Sequence, residues 1–308
     1  MKKIILLLIV LMATVSTNAQ VVEVYENGEL LNTYYNTPKK NYKVVFKDSD
    51  DGTTINGHEF VKIAGRKWAT MNVGATAVAD SWETSYGDFY AWGEIDTYYK
   101  LVGENDVMMG KETEKTHIPG VKSSYNFVNY SGTNNSSDTT TYNKFKEWTP
   151  APYDASTKVL TADNDVASAM WGGSWRMPTS DDFNKLIDAC GGGSKPVAVS
   201  ETITQGGIYW ISADGKTVDG TQYNVAGVLF VVKGDISKRV FFPAAGNIQQ
   251  NQHHSADSHV IYWTSELNTD VTTDVRYANT LSVASDHINA RHDKLYRYCG
   301  LSVRPVSD

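Results

Sequence analysis

Long apolar runs, basic charge and cysteine are all scarce in this 308-residue chain. Beyond the first twelve residues, no apolar run approaches the roughly 20 residues that a membrane-spanning helix needs. Acidic residues outnumber basic ones by 35 to 28, so the chain has no electrostatic footprint for DNA or RNA. We therefore expect a mature protein without a transmembrane segment and without a nucleic-acid partner.

Familiar catalytic motifs are also missing. The sequence has no Gly-x-Ser-x-Gly elbow, no phosphate-binding P-loop and no His-Glu-x-x-His motif. Glu94 and Asp96 flank an aromatic cluster and have the residue types of a glycosidase pair. Such carboxylates are more often surface charge, here beside Trp92. We expect a protein that is not an enzyme, with an enzyme of unknown type as a minor alternative.

The N-terminus has the three parts of a secretory signal peptide. A cationic start at Met1–Lys3 precedes the apolar run Ile4–Met12, and Thr17–Ala19 matches a small-residue cleavage site. Residues 1–19 are therefore predicted to be removed on export. No cysteine lies near the cleavage site, so no lipid anchor is expected. The mature protein would be periplasmic, on the cell surface or secreted.

The two cysteines, Cys190 and Cys299, form a possible disulfide in an exported chain. Closing so long a loop would stabilise the fold by up to about 4–5 kcal/mol in the chain-entropy model. Two buried free thiols are the alternative, because a sequence does not give the separation of two Cα atoms. The sequence leaves both open.

Residues 20–52 read as a short β segment. Val21–Tyr25 and Leu30–Tyr35 flank an Asn-Gly turn pair and predict a hairpin, and Tyr42–Phe46 predicts a third strand. The polar stretch Asp48–Gly52 is the best candidate boundary. So small a segment is not expected to be stable alone, and should pair with the main domain or with another chain.

Residues 53–308 predict one mixed α+β domain with many short strands, two or three helices and long loops. The clearest helix begins at Thr179 or Ser180, carries the apolar stripe Phe183, Leu186 and Ile187, and ends at Gly191. A second short helix is predicted within Thr161–Met170. Residues 101–145 are polar and are predicted to form a surface loop.

Six short blocks occur in a fixed order along this domain. They are Lys67–Ala75, Tyr86–Glu94, Trp171–Thr179, Val240–Gly246, Tyr262–Ser265 and Gly300–Val306. In this order they resemble the Fibrobacter succinogenes major paralogous domain, which occurs in many exported proteins of gut-type Bacteroidota. The resemblance covers about residues 57–308.

The resemblance implies a C-type-lectin-like fold, related to that of the formylglycine-generating enzyme. In such a fold the first and last strands pair, so Glu59–Ile63 would meet Val303–Val306. The enzyme of that name uses two closely spaced cysteines near its C-terminus, whereas this chain has only Cys299 there. The oxidase activity is therefore not expected. Met71 stands where a cysteine is common, so no disulfide carries over from relatives.

Two groups of residues have the side-chain types of metal ligands. His253, His254 and His259 with Asp257 have the residue types of a zinc site, but their spacing fits a polar loop better. Residues 163–165, or Asp270 and Asp274, could supply oxygen ligands to calcium. A calcium ion needs six to eight such ligands, many of them backbone carbonyls, and a sequence does not show how many converge. The sugar-reading triplets of calcium-dependent lectins are absent. No cofactor is expected, and calcium is possible but unsupported.

A binding face is predicted near the C-terminus. Residues 240–275 contain no lysine or arginine, while His287–Tyr298 is basic, polar and aromatic, a composition common at recognition surfaces. Half-buried strand positions are the alternative for the aromatic residues. Arg304 is expected to form a structural ion pair. The predicted ligand contacts are Trp263, Asn289, Arg291, His292, Tyr296 and Tyr298.

These observations predict an exported, non-enzymatic binding module. Its partner would be a glycan or a surface protein, and its role that of an adhesin or envelope component. The alternative is a structural subunit of a larger, fimbria-like surface assembly, with the N-terminal strands pairing with a neighbour.

Overall fold

The computed structural model describes residues 21–26, 29–35, 54–95, 152–249, 252–270 and 276–308. The chain divides into two compact units, residues 1–47 and residues 48–308. No helix in the described ranges is long and apolar enough to span a bilayer. The predicted signal peptide, the strand at 42–46 and the loop at 101–145 lie outside the described residues.

The first unit contains the predicted hairpin. Strands β1 (Val21–Glu26) and β2 (Glu29–Tyr35) pair antiparallel, with Val21 opposite Tyr35 and Glu26 opposite Glu29. Only two residues, Asn27 and Gly28, separate the strands, as the Asn-Gly pair predicts.

In the described part of the second unit, strands greatly outnumber helices, so this unit is a strand-rich α+β domain. The helices are α1 (Trp82–Ser85), α2 (Val166–Trp171) and α3 (Ser180–Ala189), with a 3₁₀ helix at Ala162–Asn164. The strands are β3 (Thr54–Ile55), β4 (His58–Ile63), β5 (Arg66–Ala69), β6 (Val197–Ala198), β7 (Gly207–Ile211), β8 (Lys216–Val218), β9 (Thr221–Tyr223), β10 (Gly227–Val231), β11 (Arg239–Pro243), β12 (Asn247–Gln249), β13 (Gln252–His254), β14 (Val260–Leu267), β15 (Tyr277–Ala284), β16 (His287–Tyr296), β17 (Gly300–Leu301) and β18 (Val306–Ser307).

Strand β10, inside one of the largest sheets of the second unit, is buried on both faces. The main ones have the orders β11-β10-β7-β6, β14-β15-β16 and β18-β5-β4-β3. Alternate residues of β10 enter two separate apolar clusters: Val228 and Phe230 join one, and Leu229 and Val231 the other. Two buried faces explain why β10 is a continuous apolar run rather than an alternating strand.

Helix α3 begins at the predicted capping site. The Thr179 hydroxyl accepts a hydrogen bond from the Asp182 amide, and the Asp182 carboxylate accepts one from the Thr179 amide. Asp182 is buried and also receives Arg66 Nε at 2.6 Å and Arg176 Nη1 at 2.7 Å. One carboxylate therefore joins the helix, strand β5 and the loop before the helix.

The C-terminal strand does not pair where the family resemblance implied. Strand β18 pairs with β5, with Val306 opposite Trp68, and not with β4. Strand β5 lies between β4 and β18 in the sheet: one of its edges pairs with β4, and its other edge pairs with Val306 and Ser307.

Arg304 is structural, but the expected ion pair is wrong. Its side chain is buried and donates to Asn72 Oδ1, to the Ala69 carbonyl and to the Phe241 carbonyl, each at 2.9 Å. The guanidinium also lies 4.6 Å from the centre of the Phe242 ring. Neutral acceptors match the fork of guanidinium donors, so no carboxylate from the described residues is needed.

Candidate functional site

Two of the predicted ligand contacts are core residues. Trp263 is fully buried, and its indole N–H donates to the Tyr90 carbonyl at 2.7 Å. Tyr298 is 3% exposed and belongs to the same apolar cluster. Because neither ring reaches the surface, the prediction that they contact a ligand is corrected, and the alternative of buried strand residues holds for both.

Tyr296 belongs to a stack of rings, named here the tyrosine column: Tyr277, Tyr296 and Tyr298. Tyr277 and Tyr296 have ring centres 4.5 Å apart, and Tyr296 and Tyr298 have centres 5.2 Å apart. Lys294 Nζ lies over the Tyr277 ring at 5.4 Å. The ring faces are thus occupied by one another and by a cation, so the column offers little ring face to a ligand.

The other predicted contacts do not complete a site. Asn289 is half-buried on β16. The side chains of Arg291 and His292 lie outside the described residues. The structure therefore does not bring the six predicted residues together on one surface.

A different surface has the geometry of a binding site. A groove of about 450 Å³, named here the Trp82 groove, lies where three segments meet. They are the start of α1, the connection from β9 to β10 and the turn between β13 and β14. The lining residues are Asp80, Ser81, Trp82, Glu83, Asn224, Val225 and Asp257.

Trp82 is held at the groove by the local fold of α1. The Ser81 amide donates to Thr84 Oγ1 at 3.2 Å, and the Asp80 amide donates to Ser85 Oγ at 3.0 Å. Side chains of the helix thus cap the backbone amides at its N-terminus. The indole is half-buried and packs against the larger apolar cluster. Part of the ring therefore anchors the helix, and part lines the groove.

A hydrogen bond from a buried tyrosine positions Asp257 in the groove. The buried Tyr86 hydroxyl donates to Asp257 Oδ1 at 2.7 Å. Burial, and then the neighbouring carboxylate, raise the pKa of Tyr86 well above its usual range, so this hydroxyl stays a donor. Asp257 has a φ of 58°, which is uncommon for a residue other than glycine and often marks a functional turn. Oδ2 of Asp257 forms no hydrogen bond with any described residue.

The backbone joins the walls of the groove. The Asn224 amide donates to the Ala79 carbonyl at 2.9 Å, and the Asp257 amide donates to the Ala244 carbonyl at 2.9 Å. The groove is therefore built before a ligand arrives, which lowers the entropy cost of binding.

Two other hollows fit a ligand less well. One is lined by Trp210 and Lys216 but holds about 170 Å³, less than the roughly 300–1,000 Å³ of ordinary ligand pockets. The other, of about 550 Å³, has no aromatic ring among its lining residues, and its Asp219 is already paired with Arg239 at 2.5 Å. The Trp82 groove alone among these three combines an aromatic ring with adequate room.

The metal candidates are engaged in structural contacts. No group of three metal-binding side chains occurs in the described part of the chain. In the histidine tract, His254 bonds the Gln249 carbonyl at 3.2 Å, and Asp257 bonds Tyr86. Of the calcium candidates, Asp165 caps α2 through the Ser168 amide and also accepts from the Met177 amide. Asp96 and Asp274 lie outside the described residues.

The possible disulfide is not formed. Cys190 and Cys299 are both free thiols and both buried, and they belong to different apolar clusters. Burial raises the pKa of the Cys190 thiol to about 12 and also raises that of Cys299. Both thiols therefore stay protonated and act as small apolar side chains.

We found no match to this chain among protein-family models, curated proteins or solved structures. The assignment of the Trp82 groove as the candidate site therefore depends on its geometry alone. The sequence does not reveal the groove because Ser81-Trp82-Glu83 matches no motif, and because Asp257 is distant in sequence from Trp82. An aromatic residue between two carboxylates was the available signal.

Proposed function

We propose that this protein is an exported binding module that recognises a glycan in the Trp82 groove, as an adhesin or envelope component. The observation that carries the proposal is a partly exposed indole beside Asp257 and Asn224 in a groove of about 450 Å³. An aromatic ring packs on the apolar C–H face of a pyranose, and carboxylate and amide groups bind its hydroxyls. A binding role rather than catalysis is part of the proposal.

The C-type-lectin-like fold and membership of the Fibrobacter succinogenes major paralogous domain family are also proposals. Their support is the set of six ordered sequence blocks, together with a C-terminal strand that returns to the N-terminal edge of the second unit. The pairing of β18 with β5 instead of β4 differs from the pairing that the resemblance implies.

The test is a glycan array probed with the chain lacking residues 1–19. We expect binding to at least one glycan class, and Trp82→Ala to weaken it by at least about tenfold, as for a central aromatic contact. Trp210→Ala is the matched control, because it removes another half-buried tryptophan outside the groove. Uniformly negative glycan screens, or equal losses from both variants, would contradict the proposal.

A structural role is the second candidate, and the N-terminal hairpin favours it. In the described residues β1 and β2 form a two-stranded sheet with no third strand. Isolated hairpins are marginally stable, and their open edges are templates for strand addition. Light scattering of the mature chain with and without residues 20–52 tests this candidate. Equal mass and equal stability of both forms would exclude an assembly role for the segment.

A further inference from the structure

The charge of the Trp82 groove is one-sided. Asp80, Glu83 and Asp257 line it, and its described lining residues include no lysine, arginine or histidine. Some carboxylates elsewhere in the unit do have a basic partner, as Asp182 has in two arginines and Asp219 has in Arg239. Within the described residues, none of the three groove carboxylates has an ion pair.

The floor of the groove does not neutralise this charge. His253 packs edge-on against Tyr86, with ring centres 6.2 Å apart. Burial, the largest influence, lowers the pKa of His253, although the nearby Asp257 acts in the opposite direction. The imidazole therefore remains neutral near pH 7 and supplies no positive charge.

The indole of Trp82 completes a surface suited to a cation. An ammonium group over a tryptophan face is attracted by the quadrupole of the ring. Each of the three carboxylates attracts the same ammonium group, and all three disfavour uronic, sialic or sulfated sugars by repulsion.

We propose that the groove selects glycans with a free, protonated amino group, as in non-acetylated hexosamine, over neutral and acidic sugars. This inference rests on the proposed glycan function, and it names the ligand class. The amine would lie between Trp82 and the carboxylates of Asp80, Glu83 and Asp257.

The experiment compares a glucosamine oligomer with its N-acetylated counterpart of the same length, by calorimetry at low ionic strength and mildly acidic pH. We expect the free amine to bind about tenfold more tightly. The preference should shrink as salt is added, because exposed charges are screened. It should also disappear at alkaline pH, where the ligand amine loses its proton.

A charge-matched pair of variants tests the origin of the preference. Asp80→Asn with Glu83→Gln should reduce it to about twofold or less, whereas Asp163→Asn with Asp188→Asn removes two exposed carboxylates outside the groove and should keep it. Equal binding of both oligomers, or a preference that survives the groove variant, overturns this inference. A glycan whose binding still depends on Trp82 would then leave the proposed function standing. If Trp82→Ala alters no glycan interaction, the proposed function fails, and this inference fails with it.

Discussion

The Trp82 groove and the tyrosine column are both aromatic and polar, yet they differ in what is left for a ligand. In the column, Tyr296 lies 4.5 Å and 5.2 Å from its two neighbouring rings, and Lys294 already contacts Tyr277. In the groove, Trp82 is partly exposed, and Oδ2 of Asp257 forms no hydrogen bond with any described residue. Residue composition alone does not distinguish these two regions.

The difference shows that a recognition surface is marked by ring faces and polar atoms that are still free to contact a ligand, and not by residue type. A stacked ring has already gained the dispersion and quadrupole energy that a sugar or cation would offer. An unpaired carboxylate in a rigid groove retains its capacity for a partner. Substitutions at the two kinds of site should therefore affect different properties, stability in one case and binding in the other.

The largest expected effect is on stability, from Trp263→Ala. The substitution removes a fully buried indole and its hydrogen bond to the Tyr90 carbonyl, so the free energy of unfolding should fall by about 3–5 kcal/mol. Trp82→Ala, at a half-buried position, should lower the free energy of unfolding by only about 1–2 kcal/mol while weakening glycan binding by at least about tenfold. Chemical denaturation of both variants checks this, and a Trp82→Ala loss as large as that of Trp263→Ala would place Trp82 in the core.

A carboxylate paired with arginines should contribute to stability through its charge, unlike the carboxylates of the groove. The variant Asp182→Asn tests this. Burial alone would raise the pKa of Asp182, but hydrogen bonds from Arg176 and Arg66 outweigh burial and hold that pKa well below its usual range. A lowered folded-state pKa contributes stability that is complete above about pH 4 and is lost as the pH falls further. At neutral pH the variant should lose about 2–3 kcal/mol.

The control for Asp182 is its neighbour on the same turn of α3. Asp181 is exposed, and among the described residues its one ion pair is with Lys185, so Asp181→Asn should change stability by less than about 0.5 kcal/mol. Denaturation as a function of pH should show the gap between wild type and Asp182→Asn narrowing below about pH 4. A gap that stays constant with pH would mean that Asp182 does not stabilise the fold through its charge.

Local signals in the sequence predicted several elements of the fold correctly. The Asn-Gly pair predicted the β1–β2 hairpin, and the cap at Thr179 with the stripe of Phe183, Leu186 and Ile187 predicted α3. These features depend on neighbouring residues. The partner of β18 depends on which edge of the β4–β5 hairpin is free, and no local pattern encodes that edge.

The candidate site could not be predicted from sequence, because the burial of each side chain in the fold decides whether it can contact a ligand. Trp263 and Trp82 are the same residue type, but one is fully buried and the other lines a groove. Asp257 acquires its role from Tyr86, 171 positions earlier in the chain. Long-range contacts of this kind leave no periodic signal.

The smallest predicted effect gives the sharpest comparison, because it removes a single oxygen from each region. Tyr86→Phe deletes the hydroxyl that orients Asp257, and should cost about 1 kcal/mol of stability and weaken amine binding about threefold to tenfold. Tyr298→Phe makes the same chemical change in the tyrosine column and should cost similar stability with no effect on binding. Calorimetry on both variants decides the point: if binding falls equally in the two, the hydroxyl of Tyr86 acts only through stability, and the orientation of Asp257 has no special part in recognition.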